Sequence, residues 1–226
     1  MIEGPNKPRE KIEKQYDEIG AAYREHKGKF SSNVPDEGKE FIYAHLDSPQ
    51  QKALLDVGCG GGAELDTYRS IGVRDIRGID PSIDNVRAAN EFLGESIVEL
   101  GSWEHMPFPD ASKDYLVGRF SIHYCDDLDE AYTEAARVLK DDGKLLLIIP
   151  NPAADTDIDS EDGKEYVHVS LFNGAVKVKY PRHTNEQYFS ERFNQLFEII
   201  DRKEYRHGER DDSSDNDTIA LIARKR

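Results

Sequence analysis

A strand-like run, Leu54-Leu55-Asp56-Val57, breaks into Gly58-Cys59-Gly60-Gly61-Gly62 before the chain turns helical near Ala63 or Glu64. Glycines at this kind of junction allow a tight strand-to-helix turn and remove the side chains that would keep a ligand away from the backbone. The helix that follows directs free amides at whatever sits there. Asp56 precedes the first glycine by two residues. There a carboxylate opposes an incoming pyrophosphate but suits a cationic amino-acid group. Asp80 closes the next apolar run, about 20 residues on, where an acid grips ribose hydroxyls. Taken alone the loop also satisfies the dinucleotide pattern, with Gly58, Gly60 and Ala63.

Other residues could act on an acceptor. His123 follows the fourth strand-like run, and a histidine near its ordinary pKa serves as general base or substrate contact. The plainer reading packs it beside the helix that starts after Asp126. Tyr124 is its neighbour. Tyr16 and Tyr23 lie on one helical stripe, which fits core packing or contact with a cofactor or acceptor. His183 beside Thr184 and His168 on a polar strand face are further substrate candidates, with structural and solvated roles as their alternatives. The acidic run Asp211 to Asp217 lacks calcium-loop spacing, so no metal is expected.

These residues need a scaffold, and the pattern supplies one. Ile12, Tyr16, Ile19 and Tyr23 predict an amphipathic helix, and Phe41, Ile42 and Leu46 a second. From Lys52 onward short apolar runs alternate with amphipathic stretches, which implies βαβ units and a parallel sheet. The strands read as 53–57, 75–80, 96–100, 115–119 and 144–149. Ser82 caps the helix of Ile83, Val86, Ala89 and Leu93, and Asp126 and Asp127 cap a helix through Leu139 that Gly143 closes. Thr184 to Gln187 form a capping box for a helix carrying Tyr188, Phe189, Phe193 and Leu196. Strands 197–201 and 218–223 end the chain.

One segment departs from the alternation. Residues 151–162 read as a loop, followed by a hairpin turning at Asn173-Gly174. With Phe172 opposite Ala175, Leu171 pairs with Val176, Val169 with Val178 and Val167 with Tyr180, placing the apolar residues on one face. The expected organisation is a helical cap over 1–49, a nucleotide-binding core over 50–150, an inserted loop and hairpin over 151–182, and a final helix and two strands over 183–226. The hairpin reads as a lid over an acceptor pocket or as a dimer arm.

The blocks Leu54 to Gly62, Gly78 to Ser82, Met106 to Asp110, Asp114 to Val117 and Ala136 to Leu145 resemble, in order and spacing, the class I methyltransferases. The small-molecule branch often called type 11 is the nearest match, and the likeness covers roughly residues 50 to 150. It implies a Rossmann-like α/β sandwich with a mostly parallel seven-stranded sheet, an antiparallel last strand and, here, an inserted β-hairpin. It also implies S-adenosyl-L-methionine as cofactor and S-adenosyl-L-homocysteine as product. By position, Asp56 with Gly58, Cys59, Gly60 and Gly62 would hold the methionine end. Asp80 and Pro81 would meet the ribose, and Ile83 the adenine. Ser102, Trp103 and Glu104 match the adenine-edge motif, although the family usually has Asp where Ser102 stands. Arg119 and Phe120 match the place where backbone meets the amino-acid portion, and Tyr23 could cover the cofactor.

A methyltransferase of small molecules, acting on oxygen, nitrogen or carbon, is the leading expectation. A sensor or scaffold that binds this cofactor without methyl transfer is the alternative. A nicotinamide oxidoreductase is disfavoured by Asp56 and by the lack of a Tyr-x-x-x-Lys pair. The 226 residues carry a net charge of −15, which argues against a nucleic-acid partner. Two cysteines provide no disulfide framework. The longest apolar run, Leu145 to Ile149, is too short to span a bilayer. A cytoplasmic monomer or homodimer with a small-molecule acceptor and no membrane association is expected.

Overall fold

The computed structural model describes residues 36–171, 174, 176–206 and 217–226. The expected helix over Ile12 to Tyr23, with Tyr16 and Tyr23, lies outside them, as do the Phe172–Ala175 pair and residues 207–216.

Helix α1 (Glu37–Ala44) starts at Asp36, whose carboxylate accepts from the Lys39 amide, and it buries Ile42. The βαβ alternation then runs as expected: β1 (Ala53–Val57), α2 (Ala63–Ser70), β2 (Asp75–Asp80), α3 (Ile83–Leu93), β3 (Val98–Leu100), β4 (Lys113–Arg119), α4 (Leu128–Val138) and β5 (Leu139–Pro150). After the insertion come α5 (Asn185–Tyr188), α6 (Glu191–Leu196), β9 (Phe197–Tyr205) and β10 (Thr218–Lys225). The seven strands order as β3-β2-β1-β4-β5-β10-β9. β10 runs antiparallel to both of its neighbours and the other pairs are parallel.

Two apolar layers sandwich the sheet. One packs Ile42, Leu65, Tyr68, Val86 and Ala89, from α1 to α3, against Leu54, Ile76, Val117 and Ile148. The other packs α4 and α6, through Ala131, Tyr132, Ala135 and Phe193, against Leu55, Leu116, Leu147 and Leu221. Strands buried on both faces read as continuous aliphatic runs, which is why β1 and β5 stand out in the sequence.

Three expectations need correction. α4 ends at Val138, one residue before the expected Leu139, and Gly143 does not close it but lies within β5, because Leu139 is fully buried and turns extended at once to pair with Lys113. The single helix expected after Thr184 is two. The Thr184 capping box forms, but Ser190 recaps the chain by accepting from the Phe193 amide. The stretch 151–162 is not all loop: it contains β6 (Ile158–Glu161), which pairs with β7 (Lys164–Leu171). Asp162 and Gly163 turn between them at φ of 53° and 78°, and Asp-Gly is a signal for such a turn.

β7 pairs with β8 (Val176–Pro181) in the expected register: Val167 opposite Tyr180, Val169 opposite Val178 and Leu171 opposite Val176. Val167, Val176, Val178 and Tyr180 are buried. The insertion is therefore a three-stranded antiparallel sheet, separate from the main one.

Candidate functional site

The glycine loop is fastened at its start and open in its middle. The amides of Gly58 and Cys59 donate to the Ile79 carbonyl at 2.8 and 3.0 Å, tying the end of β1 to β2. Gly58 has φ +77°, and a Cβ there would stand 2.4 Å from the Ser121 Cβ, so only glycine fits. Around Gly60 an added Cβ would meet nothing within 4 Å. That open backbone is a cradle a ligand can approach.

Asp80 binds the loop to the turn after β2. One carboxylate oxygen accepts from the Gly60 amide at 2.8 Å, and the other accepts from the Ser82 amide at 3.0 Å and the Asn85 side chain at 3.1 Å. Asp56 is buried below the loop at 3% exposure. Burial, with Asp56 and Asp80 beside it, pushes the Cys59 thiol well up, so Cys59 stays neutral and packs as a small apolar residue.

Next to this buried carboxylate lies exposed hydrocarbon. Ile83 opens α3 at 42% exposure, and Leu100, in register with Asp80 on the neighbouring strand, is 55% exposed. A flat apolar ring could lie against them while its attached sugar reaches Asp80. Leu100 was not singled out from sequence. Its signal was strand alternation, which puts it on the face of Val98 at the carboxyl end of β3. Pro81 is half-buried between these groups.

The predicted adenine edge divides. Ser102 closes a tight turn with His105 through two backbone hydrogen bonds of 2.9 and 3.1 Å. Trp103 points into the core, where Gly118 makes room for it: a Cβ on Gly118 would lie 2.2 Å from the indole. The indole N–H donates to Ser121 Oγ at 3.0 Å, and Ser121 donates to the Val57 carbonyl at 2.6 Å. Trp103 thereby props the ends of β1 and β4 from below. Glu104 is half-buried at the turn.

At the end of β4, Phe120 holds φ +49°, a conformation costly for a bulky residue and common at functional sites. Arg119 pairs with Asp36 and, at 3.3 Å, with Glu64. Lys39 reaches the same Glu64 at 2.6 Å, and the Tyr43 hydroxyl donates to it at 3.1 Å. Burial and then the Glu64 carboxylate push the Tyr43 phenol up. This network clamps α1 to the first turn after the glycine loop. Asp36 and Glu64 carried no motif that would have marked them.

His123 is 2% exposed on a short 3₁₀ turn, Ile122–Tyr124. Its ring stacks edge-on to Tyr180 of β8 at 4.5 Å and lies tilted on Tyr124 at 4.2 Å, with Phe120 at 6.5 Å. Burial, and secondarily His183, drive its pKa down to about 3. The expectation of an ordinary imidazole pKa is thus overturned: the ring is neutral, and its Nδ1 has no hydrogen-bond partner among the described residues. His183 is also buried, and burial lowers its pKa as well. His168 faces away from this cluster and hydrogen-bonds Asp159 of β6 at 2.8 Å. Phe120, His123 and Tyr124 thus come together with the inserted sheet, while His168 does not join them. Among the described residues no group of three or more His, Cys, Asp or Glu side chains could hold a metal ion, and no helix is long and apolar enough to cross a membrane.

Comparison with known proteins agrees with this fold. Residues 55–147 match the family model described as a methyltransferase domain. The uncharacterized methyltransferase YcgJ of Bacillus subtilis is 33% identical over 143 residues, 61% of this chain and 52% of that protein. The 27-O-demethylrifamycin SV methyltransferase of Amycolatopsis mediterranei is 32% identical over 129 residues, 51% of this chain and 47% of that one. The chain thus spans about half the length of the curated relatives it matches. Among solved structures, a SAM-dependent methyltransferase of Methanosarcina mazei superposes with a TM-score of 0.65 at 19% identity, over 82% of this chain and 96% of that one. At that identity the likeness is one of fold.

Proposed function

We propose that the chain is an S-adenosylmethionine-dependent methyltransferase that transfers the cofactor's methyl group to a small-molecule nucleophile held beneath the inserted sheet, a reading supported by the methyltransferase-domain match over residues 55–147. The observation that carries the reading is the Asp80 carboxylate, which joins the Gly60 amide of the uncovered glycine loop to the start of α3 beside exposed Ile83 and Leu100.

These residues fit the cofactor. Asp80 would accept from ribose hydroxyls, Ile83 and Leu100 would flank the adenine, and Asp56 would lend negative charge to the methionine end. When bound, the cofactor supplies a methyl group activated on a sulfonium sulfur. The chain has to orient the nucleophile, exclude water and hold the reacting groups in line. Phe120, Tyr124 and Tyr180 offer an aromatic wall for an apolar or planar acceptor. Neutral His123 can hydrogen-bond an acceptor but is a weak base.

The net charge of −15 supports a small acceptor over a nucleic acid. The Amycolatopsis relative is named for an O-methyl transfer to a small molecule. The test is formation of S-adenosylhomocysteine from S-adenosylmethionine with a panel of phenols, amines and carbon acids. Asp80→Ala should weaken S-adenosylmethionine binding at least tenfold by calorimetry, about 1.4 kcal/mol. Binding of NAD but of neither sulfur cofactor would overturn the reading.

A further inference from the structure

The strands have a second end. At the amino ends of the parallel strands, away from the glycine loop, lies a cleft of about 630 Å³, within the range of small-molecule sites. Asp75 opens β2 there and Asp80 closes it at the loop, so the two sites stand roughly 16 Å apart at ~3.3 Å per residue. Arg69, Arg74 and Arg77 line the cleft together with Gln50, Asp75 and Glu95. Val73, Ile76 and Ile97 contribute an apolar lining.

The charge balance there is unusual for this chain. With 45 Asp and Glu against 30 Lys and Arg, carboxylates are plentiful. Arg69 has one, Glu95 at 3.2 Å. The side chains of Arg74 and Arg77 have no ion pair or hydrogen bond among the described residues, although exposed Asp75 lies between them in sequence. Lys113, at the start of β4, is 6% exposed and also lacks an ion pair among the described residues; its ammonium sits 4.6 Å from the centre of the Phe108 ring. It is near enough to Arg77 and Asp75 to feel both charges. The three arginines of the cleft outnumber its two carboxylates, Asp75 and Glu95, and Arg77 is half-buried, so the surplus of positive charge favours an anion from outside.

We propose that this cleft binds a phosphomonoester of sugar-phosphate or nucleotide size. The phosphate lies between Arg74 and Arg77, whose planar forks match its oxygens. Asp75 and Gln50 take hydroxyl or amide hydrogens of the ligand, and its body covers Val73, Ile76 and Ile97.

Calorimetric titration of the whole chain in phosphate-free, low-salt buffer tests this, using ribose 5-phosphate, adenosine 5′-monophosphate and plain ribose. Either phosphate should bind in the millimolar range or tighter and ribose should not. Arg74→Gln/Arg77→Gln should weaken the phosphate at least tenfold while leaving S-adenosylhomocysteine affinity unchanged. Arg74→Gln alone, at an exposed position, should weaken it severalfold with the unfolding midpoint unaltered. Three outcomes overturn the proposal: no heat with either phosphate, equal binding of ribose, or undiminished phosphate binding in the double variant. The last would put the anion on the glycine-loop amides instead.

Discussion

At the residue scale, His123 shows how burial decides what a side chain can do. Its position after β4 was readable from sequence, but its protonation was not, because that depends on Tyr180 and His183 arriving from more than fifty residues away. With a folded pKa of about 3 against an ordinary 6.5, the imidazole is neutral throughout the physiological range. The unfolded chain takes up this proton as pH falls through 6.5 and the folded chain does not, so stability from this group is full above 6.5 and is lost between 6.5 and 3. His123→Phe should therefore flatten the fall in unfolding midpoint between pH 6.5 and 4. In the same range kcat/KM should show no inflection near 6.5 that His123→Gln removes; finding one would put a titrating imidazole on the reaction path. The other residues missed from sequence share a cause. Leu100, Glu64 and Asp36 matter through neighbours on different elements, and one-dimensional spacing does not record those neighbours.

At the element scale, the parallel core was legible because strands buried on both faces leave unbroken aliphatic runs and the helices between them carry their own caps. The β7–β8 register was legible for a second reason: a two-residue Asn-Gly turn and a period-2 face each specify it. β6 was missed because all four of its residues are exposed and polar except Ile158, which leaves the Asp-Gly turn as its one signal. Lys164 ties the insertion to Asp126 at 2.8 Å, and Arg182 to Asp155 at 3.5 Å joins its two ends to each other. Replacing residues 156–181 by a short Gly-Ser linker should impair acceptor turnover and leave S-adenosylhomocysteine affinity within about twofold; joint loss of binding and folding would make the sheet a structural part of the core. Asp155 gives a finer probe. Burial raises its pKa to about 6 even with Arg182 opposing, so its charge costs stability above pH 6 and costs nothing below about 4, where both states are protonated. Asp155→Asn should raise the unfolding midpoint at pH 7.5, with the gain shrinking toward zero by pH 4.5. An equal gain at both pH values would assign the effect to packing.

At the scale of the whole molecule the excess of acid works on folding and on ligand binding with opposite signs. A net charge of −15 on 226 residues repels itself, and compact packing brings those charges together. Salt shortens the screening length from about 10 Å at 0.1 M to about 3 Å at 1 M. The exposed ion pairs weaken too, but each is worth only ~0–1 kcal/mol, whereas relief of the repulsion reaches every surface carboxylate. Raising KCl from 0.05 to 1 M should therefore raise the unfolding midpoint by several degrees, and a fall would show that the ion pairs dominate. The cofactor should respond the other way. S-adenosylmethionine carries a net positive charge through its sulfonium, while its demethylated product is neutral overall, and both would lie over the same buried Asp56 and Asp80. The acidic field favours the first over the second at low salt, and screening removes that preference. Calorimetry across the same KCl series should show S-adenosylmethionine affinity falling severalfold while S-adenosylhomocysteine affinity changes little. Equal salt dependence of the two would mean that short-range contacts alone distinguish substrate from product, and that the surface charge serves solubility rather than the exchange of one for the other.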